Sequence, residues 1–361
     1  MNSNWNLSKI REELNRGISL PSSWYTDSAI LELEWAKIFN RTWQYIGRKE
    51  LLTKPGDYLT GVCGAIPVVI VAGETGLKGF VNVCRHRRHE VMKGSGNKKS
   101  LQCPYHAWNY DLDGNLKSAP RCDQQGIRKE NFPLLPVRVE TWGPYVFANP
   151  DLEASTLSSQ LGDLSEVIAA SGLELSTLRF KHREEWRSNS NWKAMIENYL
   201  ECYHCPIQHP RFSKVINVDP DTYRLDKKGV VFRQTAPTRG ATNGRMRGAP
   251  GKVKEAQYHY LWPNLTLNIN PGPSNLTIDL YLPDGTGGSR GFTDTFFGPE
   301  VTEEEASWMI AFNNEVGAED EALTTSVQRG CQAGIPERGL LLGTTEKLLM
   351  EFQSMVCEAL R

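Results

Sequence analysis

Cysteine and histidine are scarce in this chain of 361 residues, which has eight of the first and seven of the second. Cysteines so thinly spread cannot form a disulfide scaffold. A surplus of one charge is also missing. Forty-one Lys and Arg stand against 42 Asp and Glu, which disfavours a dedicated nucleic-acid binder. No apolar run approaches the ~18 residues of a membrane span. The opening, MNSNWNLSKIREELNRG, mixes charges of both signs and has no apolar core, so it does not read as a signal peptide. A cytoplasmic protein with reduced thiols, without membrane or nucleic-acid partners, is expected. Nucleotide-binding loops are absent too: there is no G-x-G-x-x-G after a strand and no P-loop, and Gly94-Ser-Gly96 is too short a match.

The length suggests two or three domains. Residues 1–44 read as a helical, peripheral segment, with Leu31, Trp35, Ile38 and Phe39 at helical spacing after Thr26-Asp27-Ser28. Residues 45–155 turn to short strands: Tyr58–Cys63, Pro67–Val71, Gly79–Val83, Val137–Val139 and Tyr145–Ala148, with a hairpin turn at Asp111–Gly114. A boundary is placed near residue 155, followed by an amphipathic stripe of Leu157, Leu161, Leu164 and Ile168. Residues 156–361 mix strands and helices, which makes the whole chain α+β. Arg179–Ser188 reads as a strand and Trp192–Tyr203 as a helix. Further strands are expected near 229–236, 257–269, 275–282 and 291–297. Helices are expected from Thr302, over 319–331 and over 344–360. Pro237–Gly251 reads as a basic, glycine-rich loop.

The scarce residues cluster. Cys84-Arg-His86 is followed by Cys103-Pro-Tyr-His106, so two tight loops each offer one thiolate and one imidazole. That pairing matches a Rieske [2Fe–2S] centre, in which two Cys hold one iron and two His the other. Structural zinc is the alternative, although zinc ribbons more often use C-x-x-C knuckles. His89 reads as a hydrogen-bonding neighbour of the loops, and Cys63 and Cys122 as buried small hydrophobes.

His204 and His209 form a second group. On an unbroken helix a five-residue step would point them about 140° apart. Pro206 interrupts the helix and lets the second imidazole swing back. Two His and one carboxylate form the facial triad of non-haem Fe(II) oxygenases. The carboxylate must come from elsewhere, and Glu319-Asp320-Glu321 is the best source, with Asp320 preferred. Zinc held by Cys202, Cys205 and a histidine is the competing reading.

Together these motifs resemble the α subunit of the Rieske non-haem iron oxygenases, over nearly the whole chain. The resemblance runs through Cys84, His86, Cys103 and His106, Asn191-Trp-Lys193, Glu197-Asn198-Tyr199, His204 and His209, and Glu319-Asp320 upstream of Gln328. It implies an oxidoreductase with an N-terminal Rieske β domain and a C-terminal helix-grip domain, the latter an antiparallel sheet with helices. It implies a Rieske [2Fe–2S] cluster, a mononuclear Fe(2+), O₂ as co-substrate, a separate flavin/iron–sulfur reductase and a head-to-tail homotrimer. In that trimer a carboxylate bridges the cluster histidine of one subunit to the iron of the next; by motif position it is Glu201, where many members have Asp. Glu-Cys-Tyr-His-Cys-Pro is similar to the carnitine, glycine betaine and stachydrine branch. A small quaternary ammonium or betaine-type substrate is therefore expected, undergoing monooxygenation or N-demethylation. Asn198, Tyr199, Tyr258, Tyr260, Trp262 and Phe296 are expected at its pocket, because aromatic faces attract a cation. Dioxygenation or monooxygenation of an aromatic ring or acid is the alternative. A Rieske electron carrier without enzymatic activity would need only residues 45–155.

Overall fold

The computed structural model describes residues 5–121, 126, 128–239 and 253–361. Cys122 and most of the basic loop expected at 237–251 lie outside them. The chain forms two compact units, one of Trp35–Gln160 and one of the residues up to Glu34 with Leu161–Arg361.

In the first unit, strands β1 (Gln44–Arg48), β2 (Asp57–Cys63), β3 (Ile66–Gly73), β4 (Gly76–Val81), β5 (Ser95–Asn97), β6 (Leu101–Gln102), β7 (Asn109–Tyr110), β8 (Leu116–Ser118), β9 (Pro136–Trp142) and β10 (Tyr145–Asn149) follow one another. They form one sheet in the order β1-β10-β9-β4-β3-β2-β5 and a smaller one, β6-β7-β8. Strand alternation divides the core. Val68 and Ile70 of β3 pack with Ile46, Leu59 and Val146, whereas Val69 and Val71 join Phe80, Tyr110, Cys84 and Cys103. Cys63 is fully buried on the former side. The β7–β8 turn is pinned by Asp111, whose Oδ1 accepts the N–H groups of Asp113 and Asn115. Gly114 there has φ +82°, and a Cβ would lie 2.5 Å from the Phe80 ring, so only glycine fits.

The helices are α1 (Leu7–Asn15), α2 (Ser28–Lys37), α3 (Leu157–Leu161), α4 (Leu164–Ala170), α5 (Trp192–Tyr199), α6 (Cys205–Gln208), α7 (Pro210–Val215), α8 (Glu303–Ala333) and α9 (Lys347–Ala359). The second unit is built on strands β11 (Arg179–Ser188), β12 (Arg224–Lys228), β13 (Val231–Ala236), β14 (Ala256–Leu261), β15 (Leu265–Ile269), β16 (Asn275–Pro283) and β17 (Ser289–Phe297). They form an antiparallel sheet in the order β11-β17-β16-β15-β14-β13-β12.

Several boundaries differ from expectation. The segment read as one strand over 257–269 is a hairpin that turns at the cis Trp262-Pro263 bond. The helices expected from Thr302 and over 319–331 are one continuous α8. It opens on a Thr302/Glu305 capping box and closes on left-handed Gly334. The helix expected to reach Tyr203 stops at Tyr199, leaving Glu201 on the following turn. The N-terminal segment is not peripheral. Trp24, Tyr25 and Glu34 are buried, and Glu34 accepts hydrogen bonds from Trp192 Nε1 at 2.8 Å and Lys193 Nζ at 2.6 Å. Asn191 caps α5 through Lys193 N–H and donates its amide to the carbonyls of Tyr25 and Thr286. The Asn-Trp-Lys run therefore fixes the helix that carries Asn198 and Tyr199.

Candidate metal centres and the adjoining cavity

In the first unit the two Cys/His loops have the same backbone frame. Cys84 N–H donates to His89 O, and Cys103 N–H to Trp108 O, each at 2.8 Å. Arg88 N–H returns to Cys84 O, and Ala107 N–H to Cys103 O, each at 3.1 Å. Arg88 and Ala107, each four residues after its cysteine, both take left-handed backbone, with φ 56° and 58°. Each loop thus folds around a point near its thiol. Cys84 and Cys103 are buried, whereas His86 and His106 are exposed with ring centroids 4.6 Å apart. Burial raises the Cys103 thiol's pKa, while the N–H groups of Tyr105 and His106 pull it down. A thiol that collects backbone N–H groups is set up to hold negative charge. Buried thiols and exposed imidazoles from two loops of the same backbone frame fit a Rieske cluster.

Two supporting residues escaped the sequence reading. Tyr110 lies 3.5 Å from Cys84 Sγ through its hydroxyl, which also accepts Arg85 N–H at 3.0 Å. Trp108 stacks on His86 at 5.2 Å. The C-x₄-W and C-x₆-Y spacings after Cys103 carry no general signal for either role. His89 Nδ1 meets Glu90 O at 2.6 Å.

In the second unit α6 begins one residue after His204, with Pro206 in its first turn, and His209 closes it. The resulting reversal brings His204 Nε2 and His209 Nε2 to 3.1 Å. Asp320 Oδ1, from α8, lies 3.0 Å from the latter and 3.5 Å from the former. Each ligand candidate has an orienting partner. Glu201 Oε1 bonds His204 Nδ1, Glu319 Oε2 lies 2.6 Å from His209 Nδ1, and Asn198 Nδ2 donates to Asp320 Oδ1 at 2.6 Å. A carboxylate at Nδ1 requires the proton there, so each Nε2 presents its lone pair. Three lone pairs then converge at 3.0–3.5 Å, the spacing of donors that share one ion about 2.0–2.2 Å away. The group fits a mononuclear metal ion. Without a metal, protons take its place. Burial lowers the His204 pKa, but hydrogen bonds to Asp320 and Glu201 outweigh it and lift the imidazole to about 9. His209 shifts up for similar reasons, against its burial. Asp320 falls to about 2, its histidine partners overcoming burial.

Glu201 departs from expectation in one respect. It is not on a helix with His204, and its Oε2 accepts the N–H groups of Tyr203 and His204. The thiols expected to stay reduced also include a joined pair. The turn between α5 and α6 brings Cys202 and Cys205 to a Cα separation of 5.0 Å, and they form a disulfide. That leaves no pair of thiolates for the competing zinc site.

The triad opens onto a cavity of ≈ 410 Å³, a size suited to a small organic molecule. Asn198, Tyr199 and Tyr258 line it, as expected, together with Trp186, Tyr223, Tyr281, Phe212 and Phe312. The other three aromatics named from sequence do not. Tyr260 shares a face with Tyr258, but its ring is packed on Phe232 and on Phe352 of α9. Trp262 sits in the hairpin turn against Trp192 and Phe352. Phe296 lies between Thr295 and Phe297 on β17, where alternation sends it to the opposite face, onto Phe180. The cavity's acids are Glu184, Glu201, Asp279, Asp320 and Glu321, and its only Lys or Arg among the described residues is Arg187.

Residues 42–141 match the model of the Rieske [2Fe-2S] domain, and residues 175–361 that of the ring hydroxylating alpha subunit catalytic domain. The chain is 30% identical to a carnitine monooxygenase oxygenase subunit of Acinetobacter pittii, over 94% of each chain. It is 30% identical to the chloroplastic choline monooxygenase of Spinacia oleracea, over 94% of this chain and 78% of that protein. A solved quaternary ammonium Rieske monooxygenase in complex with γ-butyrobetaine superposes with a TM-score of 0.83 at 28% identity, over 98% of both chains. Naphthalene 1,2-dioxygenase from Rhodococcus shares the fold at 17% identity and a TM-score of 0.81.

Proposed function

The chain belongs to the Rieske non-haem iron oxygenases, and from that premise we propose that it monooxygenates a small quaternary ammonium compound. It is an oxidoreductase whose cofactors are a Rieske [2Fe–2S] cluster and a mononuclear iron, with O₂ as co-substrate. The observation that carries the substrate reading is the cavity itself. Trp186 and Tyr281 rings stand 5.1 Å apart, with Tyr199, Tyr223 and Tyr258 beside them, where acids outnumber bases. Aromatic faces and negative charge together favour a cation over a neutral arene. Both the carnitine and the choline monooxygenases act on compounds of this class by name.

In this reading Cys84, His86, Cys103 and His106 hold the cluster, and His204, His209 and Asp320 hold the iron. When bound, the iron supplies O₂ activation and the cluster supplies single electrons. The chain's own residues position and exclude. Glu201, Glu319 and Asn198 fix the three ligands, and the tyrosines strip water from the substrate. One oxygen atom enters a C–H bond, and the other leaves as water with two protons and two electrons. Those electrons come from a separate flavin/iron–sulfur reductase in the cytoplasm. Glu201 joins His204 to the cluster histidine of a neighbouring subunit in a homotrimer, through the lone pair left on Oε1. No helix among the described residues is long and apolar enough to cross a membrane.

The test is a turnover screen of reconstituted protein with a surrogate reductase against quaternary ammonium compounds and aromatic acids. O₂ uptake and aldehyde release with an ammonium compound are expected. Turnover confined to aromatic acids would overturn the substrate reading. Reduction by the reductase with no O₂ uptake on any substrate would leave an electron carrier.

A further inference from the structure

The cavity wall contains a carboxylate that has no counter-ion among the described residues. Asp279 on β16 stands in register with Thr266 on β15 and Thr293 on β17. Its Oδ1 accepts from Thr293 Oγ1 at 2.6 Å, and its Oδ2 from Thr266 Oγ1 at 2.9 Å and Asn268 Nδ2 at 2.7 Å. All three donors are neutral. They solvate the carboxylate without cancelling its charge. Burial raises its pKa, and a second acid, Asp294, raises it further. Asp294 is itself bound by Arg183 through two hydrogen bonds of 2.6 Å. Asp279 opens onto the cavity.

The aromatic residues tie Asp279 to the metal site. Tyr281, two residues along β16, is acted on by both Asp279 and Asp320. Tyr199 donates its hydroxyl to Asn268 Oδ1 at 2.8 Å, and Asn268 donates to Asp279. Tyr199 in turn follows Asn198, which holds Asp320. A cation held at Asp279 among these rings therefore lies in the cavity that the triad faces. A carboxylate on the same substrate would find no free base there among the described residues. Arg187 is paired with Asp284, and its side chain is 73% exposed.

We propose that Asp279 is the specificity-determining anion of this cavity, pairing with the ammonium of a monocationic substrate and selecting against zwitterions that carry their own carboxylate. The proposal rests on the quaternary ammonium reading and narrows it. Its energetic basis is that a buried charge with only neutral donors gains most from an opposite charge that arrives with its ligand.

The experiment uses the reconstituted enzyme with choline, its neutral carbon isostere 3,3-dimethylbutan-1-ol, glycine betaine and carnitine. The wild-type KM for choline is expected to be roughly 10- to 100-fold below that for the isostere, the scale of one buried charge interaction. Both zwitterions should give a lower kcat/KM than choline. In Asp279→Asn the choline KM should rise by roughly the same factor, with a smaller change in kcat. The isostere's KM should hold, which marks the variant as folded. A choline KM unmoved in that variant, or better turnover of either zwitterion than of choline by the wild type, would overturn the proposal while leaving the quaternary ammonium reading standing. If Asp279→Asn loses the iron or fails to fold, the wild-type choline-to-isostere ratio decides, and a ratio near one overturns the proposal. No turnover of any ammonium compound overturns both.

Discussion

Asn198 on α5 donates its amide to Asp320 Oδ1 on α8 at 2.6 Å. The contact links the helix set by the Asn-Trp-Lys run to the carboxylate of the triad. Its neighbour Tyr199 begins the hydrogen-bonded path to Asp279. One short stretch of helix therefore positions both the metal ligand and the substrate wall.

Removing that link should loosen iron without touching the cluster. Asn198→Ala is expected to weaken iron binding by roughly 10- to 100-fold, as loss of a ligand's orienting partner does. Asp320→Ala should abolish it, and Glu319→Gln should resemble Asn198→Ala, since Glu319 only holds His209 Nδ1. Iron titration alongside the cluster's visible spectrum separates the three. Full iron loss in Glu319→Gln with retention in Asp320→Ala would reassign the ligand.

The cluster's potential should respond to Tyr110. Its hydroxyl sits 3.5 Å from Cys84 Sγ, and hydrogen bonds to cluster sulfurs raise the potential. Tyr110→Phe should lower it while keeping the Rieske EPR signal, as read in a redox titration. Cys103→Ala should lose the signal altogether.

These two sites were legible to different depths, for physical reasons. Cys84 with His86, Cys103 with His106, and His204 with His209 are each close in sequence, and Pro206 announces the reversal that pairs the last two. Asp320 lies far along the chain and was legible only as one of three adjacent acids. The supporting residues do not announce themselves. Thr266, Asp279 and Thr293 meet only across three strands in register, so no local pattern marks them. Phe296 was assigned to the pocket on residue type, whereas its strand parity, opposite to Thr293 and Thr295, sends it away. The hairpin at Trp262-Pro263 was hidden in a run of strand-forming residues on both sides of the turn. Helix α8 runs through Gly317, which reads as a break in isolation but is carried by the packing of Met309, Phe312, Thr324 and Gln328.

Stability should depend on pH through Glu197. Burial outweighs hydrogen bonds from Tyr25 and Gln353 and pushes its carboxyl from 4.5 up to about 7. Between these values the folded protein keeps a proton that the unfolded chain releases. The stabilisation is complete below about pH 4.5 and is lost as pH rises through about 7, a span of roughly 3 kcal/mol at most. Glu197→Gln should flatten this slope, measured as urea midpoints at pH 5 and pH 7.5. An unchanged slope would place the titration elsewhere.

Electron transfer should cross between subunits at Glu201. Glu201→Gln is expected to keep the cluster and to bind iron more weakly, as Glu319→Gln does. Once iron is saturated it should still reduce the iron site very slowly, whereas a purely orienting role predicts a normal reduction rate when iron is restored. Mixing inactive Cys103→Ala and His204→Ala proteins under subunit exchange should restore part of the activity. Exchange proven by mass spectrometry without any recovery would contradict an inter-subunit path.

The most direct test of the account is a turnover of choline by the reconstituted enzyme, with its reductase, under ¹⁸O₂. The account predicts substrate-dependent O₂ uptake, with one labelled oxygen entering the organic product for each O₂ consumed, measured by mass spectrometry before the product exchanges with water. Unlabelled product, or O₂ uptake that ends only in hydrogen peroxide with every ammonium compound, would contradict it.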